Sequence, residues 1–224
     1  MKTAFERIYA TNAWLHGSGE GSLARNTGEY VAYLQRFLRE RSIRSVVDFG
    51  CGDWQVSRLV DWSGIDYTGV DIVGSMIDAN RAAFGAPNVR FVEMEDFDRL
   101  PAADLLVAKD VLQHWSTASI ERFLPVIGRY RYALLTNCVK VGGPTVNLDI
   151  DDGGFRPLDL RSAPFTLRAK PVLEFENTRP WWSAWLRRPR WRKAVLLVEN
   201  PRPGEPPAAP LPAAARRSST TSPA

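Results

Sequence analysis

The chain is poor in the residues that build metal centres and disulfide frameworks. Its 224 residues include two cysteines, Cys51 and Cys138, and two histidines, His16 and His114. Neither cysteine has a partner at zinc-ligand spacing, so no structural metal is expected, and a reduced, cytoplasmic setting is the default. There is no run of about 18 apolar residues, which argues against a membrane-spanning helix. The opening MKTAFERIYATNAW has no apolar stretch of the kind a secretory leader needs, so none is expected. No Gly-Lys-Ser/Thr occurs, which excludes a P-loop. One window is both basic and rich in tryptophan. Residues 179–193, RPWWSAWLRRPRWRK, hold six basic residues and no acid, and since the whole chain carries +4, the rest of it carries −2. The basic character is therefore local.

With 45% hydrophobic residues, the chain can bury one good core. From residue 200 onward the composition turns to proline, alanine and serine, which cannot bury enough surface to offset ordering entropy, and this stretch reads as a disordered tail. Before it, strand and helix patterns alternate. NTGEYVAYLQRFLRERSI has helical spacing, with Asn26 and Glu29 in capping-box positions. SVVDF, DYTGVDI, VRFVEM, ADLLVAK and YALLTNCV read as strands, as do FTLRAKPVLEF and KAVLLVE. WQVSRLVDW, VGSMIDANRAAF and TASIERFLPVIGRY read as helices, the last capped by Ser116. Such alternation predicts an α/β, Rossmann-like, doubly wound and mostly parallel sheet with helices on both faces. The expected divisions are residues 1–44, a loop and helix covering the site, 45–199, the core, and 200–224, the tail.

Two stretches compete as a ligand loop. WLHGSGEGS carries Gly17, Gly19 and Gly21 but has no strand before it. SVVDFGCGDW has the required order of apolar strand, acid, Gly-x-Gly turn and helix-like continuation, so Gly50 and Gly52 are the better candidates. The third glycine that a pyrophosphate site prefers is replaced by Gln55. Asp71 ends the next strand some 20 residues on, where a carboxylate can accept two hydrogen bonds from a ribose diol. Asp96 and Phe97 follow the third strand, in position to read an adenine edge.

Taken in order, VVDFGCGDW, YTGVDI, MEDFD and ADLLVAKDVLQHW resemble the successive motifs of the class I S-adenosylmethionine-dependent methyltransferases, and YALLTN resembles their fifth strand. The resemblance covers residues 45–138. It implies a seven-stranded sheet whose last strand, KAVLLVE, runs antiparallel, and S-adenosyl-L-methionine as cofactor. Asp48 would orient the methionine amino group. Gly50 and Gly52 would admit the cofactor closely, with Cys51 between them, and Asp71 would hold the ribose beside Ile72. Asp96 and Phe97 would contact adenine. Lys109 would lend its backbone or pack its stem near the cofactor. Trp54 stands where the family often has glycine; it either shapes the methionine end or packs under the following helix.

His114, with an unperturbed pKa of about 6.5, and Asp110 are the candidate general bases, although methyl transfer from a sulfonium can run on alignment alone. Trp14 and His16 are candidate lid contacts to the acceptor, and Arg156 and Arg161, with Asp159, candidate contacts to a polar or anionic one. An Asn-Pro-Pro-Tyr type motif and a Pro-Cys nucleophile are both absent. This turns the expectation toward a small-molecule or glycan hydroxyl rather than an amino group or a pyrimidine carbon. The basic tryptophan segment admits packing on the domain, proximity to an anionic membrane surface, or docking of RNA. The other classes kept open are a nucleic-acid methyltransferase using that segment and a non-catalytic, methyltransferase-like interaction protein.

Overall fold

A computed structural model describes residues 1–15, 17–177 and 191–201. Residues 178–190, which hold most of the basic segment 179–193, His16 and the tail beyond residue 201 lie outside the described residues. Four α-helices are described: α1 (Lys2–Ala10), α2 (Ala24–Glu40), α3 (Gly74–Phe84) and α4 (Thr117–Ile127). The strands are β1 (Ser45–Phe49), β2 (Asp66–Asp71), β3 (Val89–Glu93), β4 (Leu105–Lys109), β5 (Tyr132–Val139), β6 (Lys170–Glu176) and β7 (Arg192–Glu199). They form one seven-stranded sheet in the order β3-β2-β1-β4-β5-β7-β6. β1 to β5 pair in parallel, and β7 runs antiparallel between β5 and β6. The strand order reverses between β1 and β4, where such sheets open a crevice at the carboxyl ends of the strands.

The two faces follow from the two-residue period of a strand. Val46, Leu105, Val107 and Leu134 join Tyr30, Leu34, Phe37 and Leu38 of α2 on one face. Val47, Leu106, Ala108 and Leu135 join Phe5 of α1 and Ile120 and Phe123 of α4 on the other. Both faces being covered, the central strands read as near-continuous apolar runs. No described helix is long and apolar enough to cross a membrane.

Three local expectations give way to packing. Asn26 and Glu29 make no capping box, because α2 starts at Ala24 with Leu23 as its N-cap. Asn26 instead lies inside the first turn, where its Nδ2 donates to the Glu20 carbonyl at 2.9 Å. WQVSRLVDW is not a helix; only Ser57–Leu59 turns, as a 3-10 element, and Trp62 Nε1 donates to the Ser57 carbonyl at 2.8 Å, folding the segment back. The FTLRAKPVLEF strand begins only at Lys170. Ser116 does cap α4, accepting from Ser119 N at 3.3 Å.

Phe123 is fully buried and stacks on Phe49 at 4.8 Å, with the Phe97 and Trp115 rings edge-on at 5.5 and 5.6 Å. Phe123→Ala is expected to cost about 3–5 kcal/mol through lost transfer energy and a cavity, read as a lower urea midpoint with an unchanged slope. A loss under about 1 kcal/mol would show that this cluster does not carry the face of the sheet.

Candidate cofactor and acceptor cavity

A cavity of about 540 Å³ opens over the carboxyl ends of β1, β2 and β4. Its floor is the turn after β1. Gly50 has φ +75°, and a Cβ there would overlap Val111 Cγ2, so both the backbone conformation and the close approach demand glycine. Gly50 N and Cys51 N both donate to the Val70 carbonyl, at 2.8 and 3.1 Å. Asp71 completes the tie: Oδ2 accepts from Gly52 N at 2.9 Å and Oδ1 from Val73 N at 3.0 Å. Burial pushes its carboxyl above the usual range, against the pull of those backbone donors. Each carboxylate oxygen has two acceptor positions, so Asp71 can hold the loop and still accept from a diol. Asp48 is similarly placed. Its Oδ2 accepts from the Ser57 and Tyr67 hydroxyls, each at 2.6 Å, and burial again raises its carboxyl.

The N-terminal glycine segment forms the cover. Ser18 Oγ donates to Asp53 Oδ1 at 2.7 Å, and Ser18 N donates to Asp53 Oδ2 at 3.1 Å. Asp53 N donates back to Ser18 Oγ at 3.2 Å. With its one proton committed to Asp53, Ser18 Oγ accepts from the Tyr9 hydroxyl at 3.0 Å. Lys2 pairs with Glu93 at 2.6 Å and brings α1 over the end of β3. Phe5, Tyr9 and Trp14 from this cover line the cavity. Trp14 packs on His114 at 4.6 Å between ring centroids. The glycine-rich stretch and the Gly50–Gly52 turn are thus two sides of one site.

Of the sequence-predicted residues, Asp48, Gly50, Cys51, Asp71, Ile72, Phe97, Lys109, Asp110, His114 and Trp14 line the cavity. Gly52 lies just behind, bonded to Asp71. Four other candidates are displaced from it. Trp54 is buried away from the cavity, with rings of Tyr67, Phe84 and Phe91 at 5.7, 4.9 and 5.3 Å. Its φ is +59°, a left-handed conformation that costs a side chain roughly 1–2 kcal/mol; aromatic burial offsets it. Asp96 caps the Phe97–Arg99 turn, accepting from Asp98 N at 3.0 Å. Arg156 is buried and holds loops together, donating to the Trp115 and Leu148 carbonyls and to Thr117 Oγ1. Arg161 is paired with Asp159 at 2.9 Å. Lys109 presents its ammonium rather than only its stem, donating to Asp110 Oδ2 at 2.5 Å. Residues not singled out from sequence include Tyr9 and Ser18 of the cover, Asp53 after the Gly50–Gly52 turn, and Lys193 as a cavity residue. For α1, the spacing of Phe5, Ile8 and Tyr9 was the available signal.

Neither candidate base is poised. Burial opposes charge on Asp110, but Lys109 and Lys193 together overcome it and hold the carboxyl below the usual range. His114 Nδ1 donates to the Gly154 carbonyl at 2.7 Å, which fixes the tautomer. Gln113 Oε1 accepts from Cys138 N at 2.7 Å, so its Nε2 is the group facing His114 Nε2 at 3.3 Å. Burial lowers the His114 pKa from its ordinary value, partly countered by Gly154 and Asp110. A histidine neutral in the fold binds fewer protons than in the unfolded chain. Its contribution is therefore full above the unfolded value of about 6.5 and is lost as pH falls through the folded one. Wild type is expected to lose more stability between pH 7.5 and 5 than His114→Asn, with the imidazole resonance titrating below 6.5. Equal pH profiles would contradict the assignment.

Residues 47–130 match the family model described as a methyltransferase domain. No curated protein matches the chain in sequence. Among solved structures, the magnesium protoporphyrin IX methyltransferase of Synechocystis PCC 6803, solved with bound S-adenosylhomocysteine, is 15% identical with a TM-score of 0.57. The match covers 89% of this chain and 99% of that one. The 1,6-didemethyltoxoflavin N1-methyltransferase of Burkholderia thailandensis is 14% identical with a TM-score of 0.58, covering 89% of this chain and 87% of that one. The N-methyltransferase NodS of Bradyrhizobium japonicum is 12% identical with a TM-score of 0.53, covering 80% and 89%. At these identities the likeness is one of fold.

Proposed function

We propose that this chain, a class I S-adenosyl-L-methionine-dependent methyltransferase, moves the methyl group to an oxygen of a small-molecule acceptor held in the cavity beneath its N-terminal cover. The observation that carries the reading is the buried Asp71 carboxylate tied to the Gly50–Gly52 turn at the floor of that cavity. A turn with no side chain at Gly50, a diol acceptor at Asp71 and the flat Phe97 ring on the wall fit a nucleoside with a short amino-acid arm. When bound, S-adenosyl-L-methionine supplies an electrophilic methyl on a sulfonium, and in-line displacement leaves the S–C electron pair on sulfur as S-adenosylhomocysteine.

The chain's own residues supply position rather than proton transfer. Asp71 would hold the ribose, Asp48 would face the amino group of the methionine part, and Phe97 would pack on adenine. Phe5, Tyr9 and Trp14 cover the acceptor and exclude water. With Asp110 held ionised by two lysines and His114 bonded at both ring nitrogens, the acceptor reacts at an oxygen that sheds its proton readily. Alignment then carries the rate. The toxoflavin and porphyrin enzymes, named for small-molecule acceptors, support a small acceptor here. The nucleic-acid reading depends on the basic tryptophan segment, most of which lies outside the described residues.

Calorimetric titration of S-adenosylhomocysteine tests the assignment. Asp71→Ala removes an ionised acceptor and is expected to weaken binding by about 1.5–3 kcal/mol, one to two decades. Absence of wild-type binding, or equal affinity for the variant, would overturn it.

A further inference from the structure

Three charged side chains meet in the cavity wall where the ends of β4 and β7 approach the glycine segment. Asp110 Oδ2 accepts from Lys109 Nζ at 2.5 Å and from Lys193 Nζ in a shorter ion pair. The two lysine side chains are only 8% and 2% exposed. Two ammoniums against one carboxylate leave an excess positive charge out of water, which is strongly unfavourable unless something further compensates it. Both ammoniums donate to the Gly21 carbonyl at 3.3 Å. The Tyr30 and Trp191 rings lie 5.7 and 4.7 Å from Lys109 and Lys193 Nζ. Carbonyl and ring faces soften the charge, and the buried Asp48 carboxylate acts on Lys109 from beyond salt-bridge distance, so neither ammonium has a bonded counter-charge of its own. Among the described residues, no carboxylate other than Asp110 is within salt-bridge reach of either lysine.

Holding the cover does not require this excess. Gly21 lies against the cluster so closely that a Cβ there would overlap Lys193 Nζ. One lysine bonded to Asp110 and to the Gly21 carbonyl would latch the segment with no net charge. The second lysine is surplus to the latch. Each ammonium has three N–H groups and donates two of them to the protein. Among the described residues one N–H per lysine therefore remains, on the wall of a cavity whose other carboxylates, Glu20, Asp48, Asp53, Asp71 and Glu95, are not bonded to either lysine.

We infer that Lys109 and Lys193 form an anion-binding subsite of the cavity, with Asp110 fixing their spacing, and that its guest is a carboxylate or similar oxyanion. The inference rests on the methyltransferase reading, because that chemistry brings two sources of such a group: the methionine carboxylate of the cofactor and an acidic group on the acceptor. It also moves the anion contact expected at Arg156 and Arg161 to a different pair of residues.

Calorimetry on wild type, Lys193→Met and Lys109→Met separates the sources. The probes are S-adenosylhomocysteine, 5′-methylthioadenosine, which lacks the amino-acid arm, and benzoate against benzamide with and without S-adenosylhomocysteine. Either variant leaves one lysine on Asp110, a neutral pair, and circular dichroism reports whether each is folded. If the cofactor carboxylate is the guest, both variants lose 10- to 100-fold in S-adenosylhomocysteine affinity and keep wild-type affinity for 5′-methylthioadenosine. If the acceptor supplies the anion, S-adenosylhomocysteine affinity is kept, and a wild-type preference for benzoate over benzamide disappears in both variants. Folded variants that keep S-adenosylhomocysteine affinity, alongside a wild type with no preference for benzoate, would overturn the subsite. A wild type binding neither nucleoside would instead defeat the methyltransferase reading, and the benzoate preference of the unliganded protein would still decide the subsite.

Discussion

Asp71 accepts from Gly52 N and from Val73 N, so one buried carboxylate fixes the turn after β1 against the turn after β2. The rest of the site depends on that tie. The residue after Gly52 is Asp53, and its carboxylate is the anchor to which Ser18 brings the N-terminal segment. Ser18 in turn receives the Tyr9 hydroxyl. A chain of short polar contacts thus runs from the middle of the sheet to α1, and the cavity is the space enclosed between them. Each link is partly buried and hydrogen-bonded, as polar groups near a dry site must be.

The same enclosure draws on the candidate bases. Groups drawn into the wall are committed to holding it: Asp110 to the two lysines, His114 to Gly154 and Gln113, Asp48 to Ser57 and Tyr67. A sulfonium methyl needs a well-aligned nucleophile more than a proton acceptor. The proposed subsite places its anion contacts on Lys109 and Lys193, at the ends of β4 and β7, rather than at Arg156 and Arg161.

The sheet was legible because its central strands are apolar runs bounded by turn residues, and the order of acid, Gly-x-Gly and second acid carried the cofactor side. What sequence left hidden was a matter of backbone and register. Trp54 looks like a pocket residue, but its left-handed φ and three ring neighbours turn it into the core. Lys193 reads as one charge in a basic run. On β7, however, it stands opposite Cys138 and shares the strand face of Val195 and Leu197, so the two-residue period carries it inward. Arg156 has the composition of an anion contact and instead satisfies carbonyls beneath a loop. WQVSRLVDW has helical spacing, yet the Trp62 indole bonded to Ser57 folds it into a turn. In each case a long-range contact outweighs local preference.

The most direct test of the account is a crystal structure of the protein grown with S-adenosylhomocysteine. The account predicts the ribose hydroxyls on Asp71, the adenine against Phe97, and the glycine segment closed on Asp53 through Ser18. Density for the nucleoside elsewhere, or an Asp71 carboxylate facing only Gly52 and Val73 with the ligand present at saturating concentration, would contradict it.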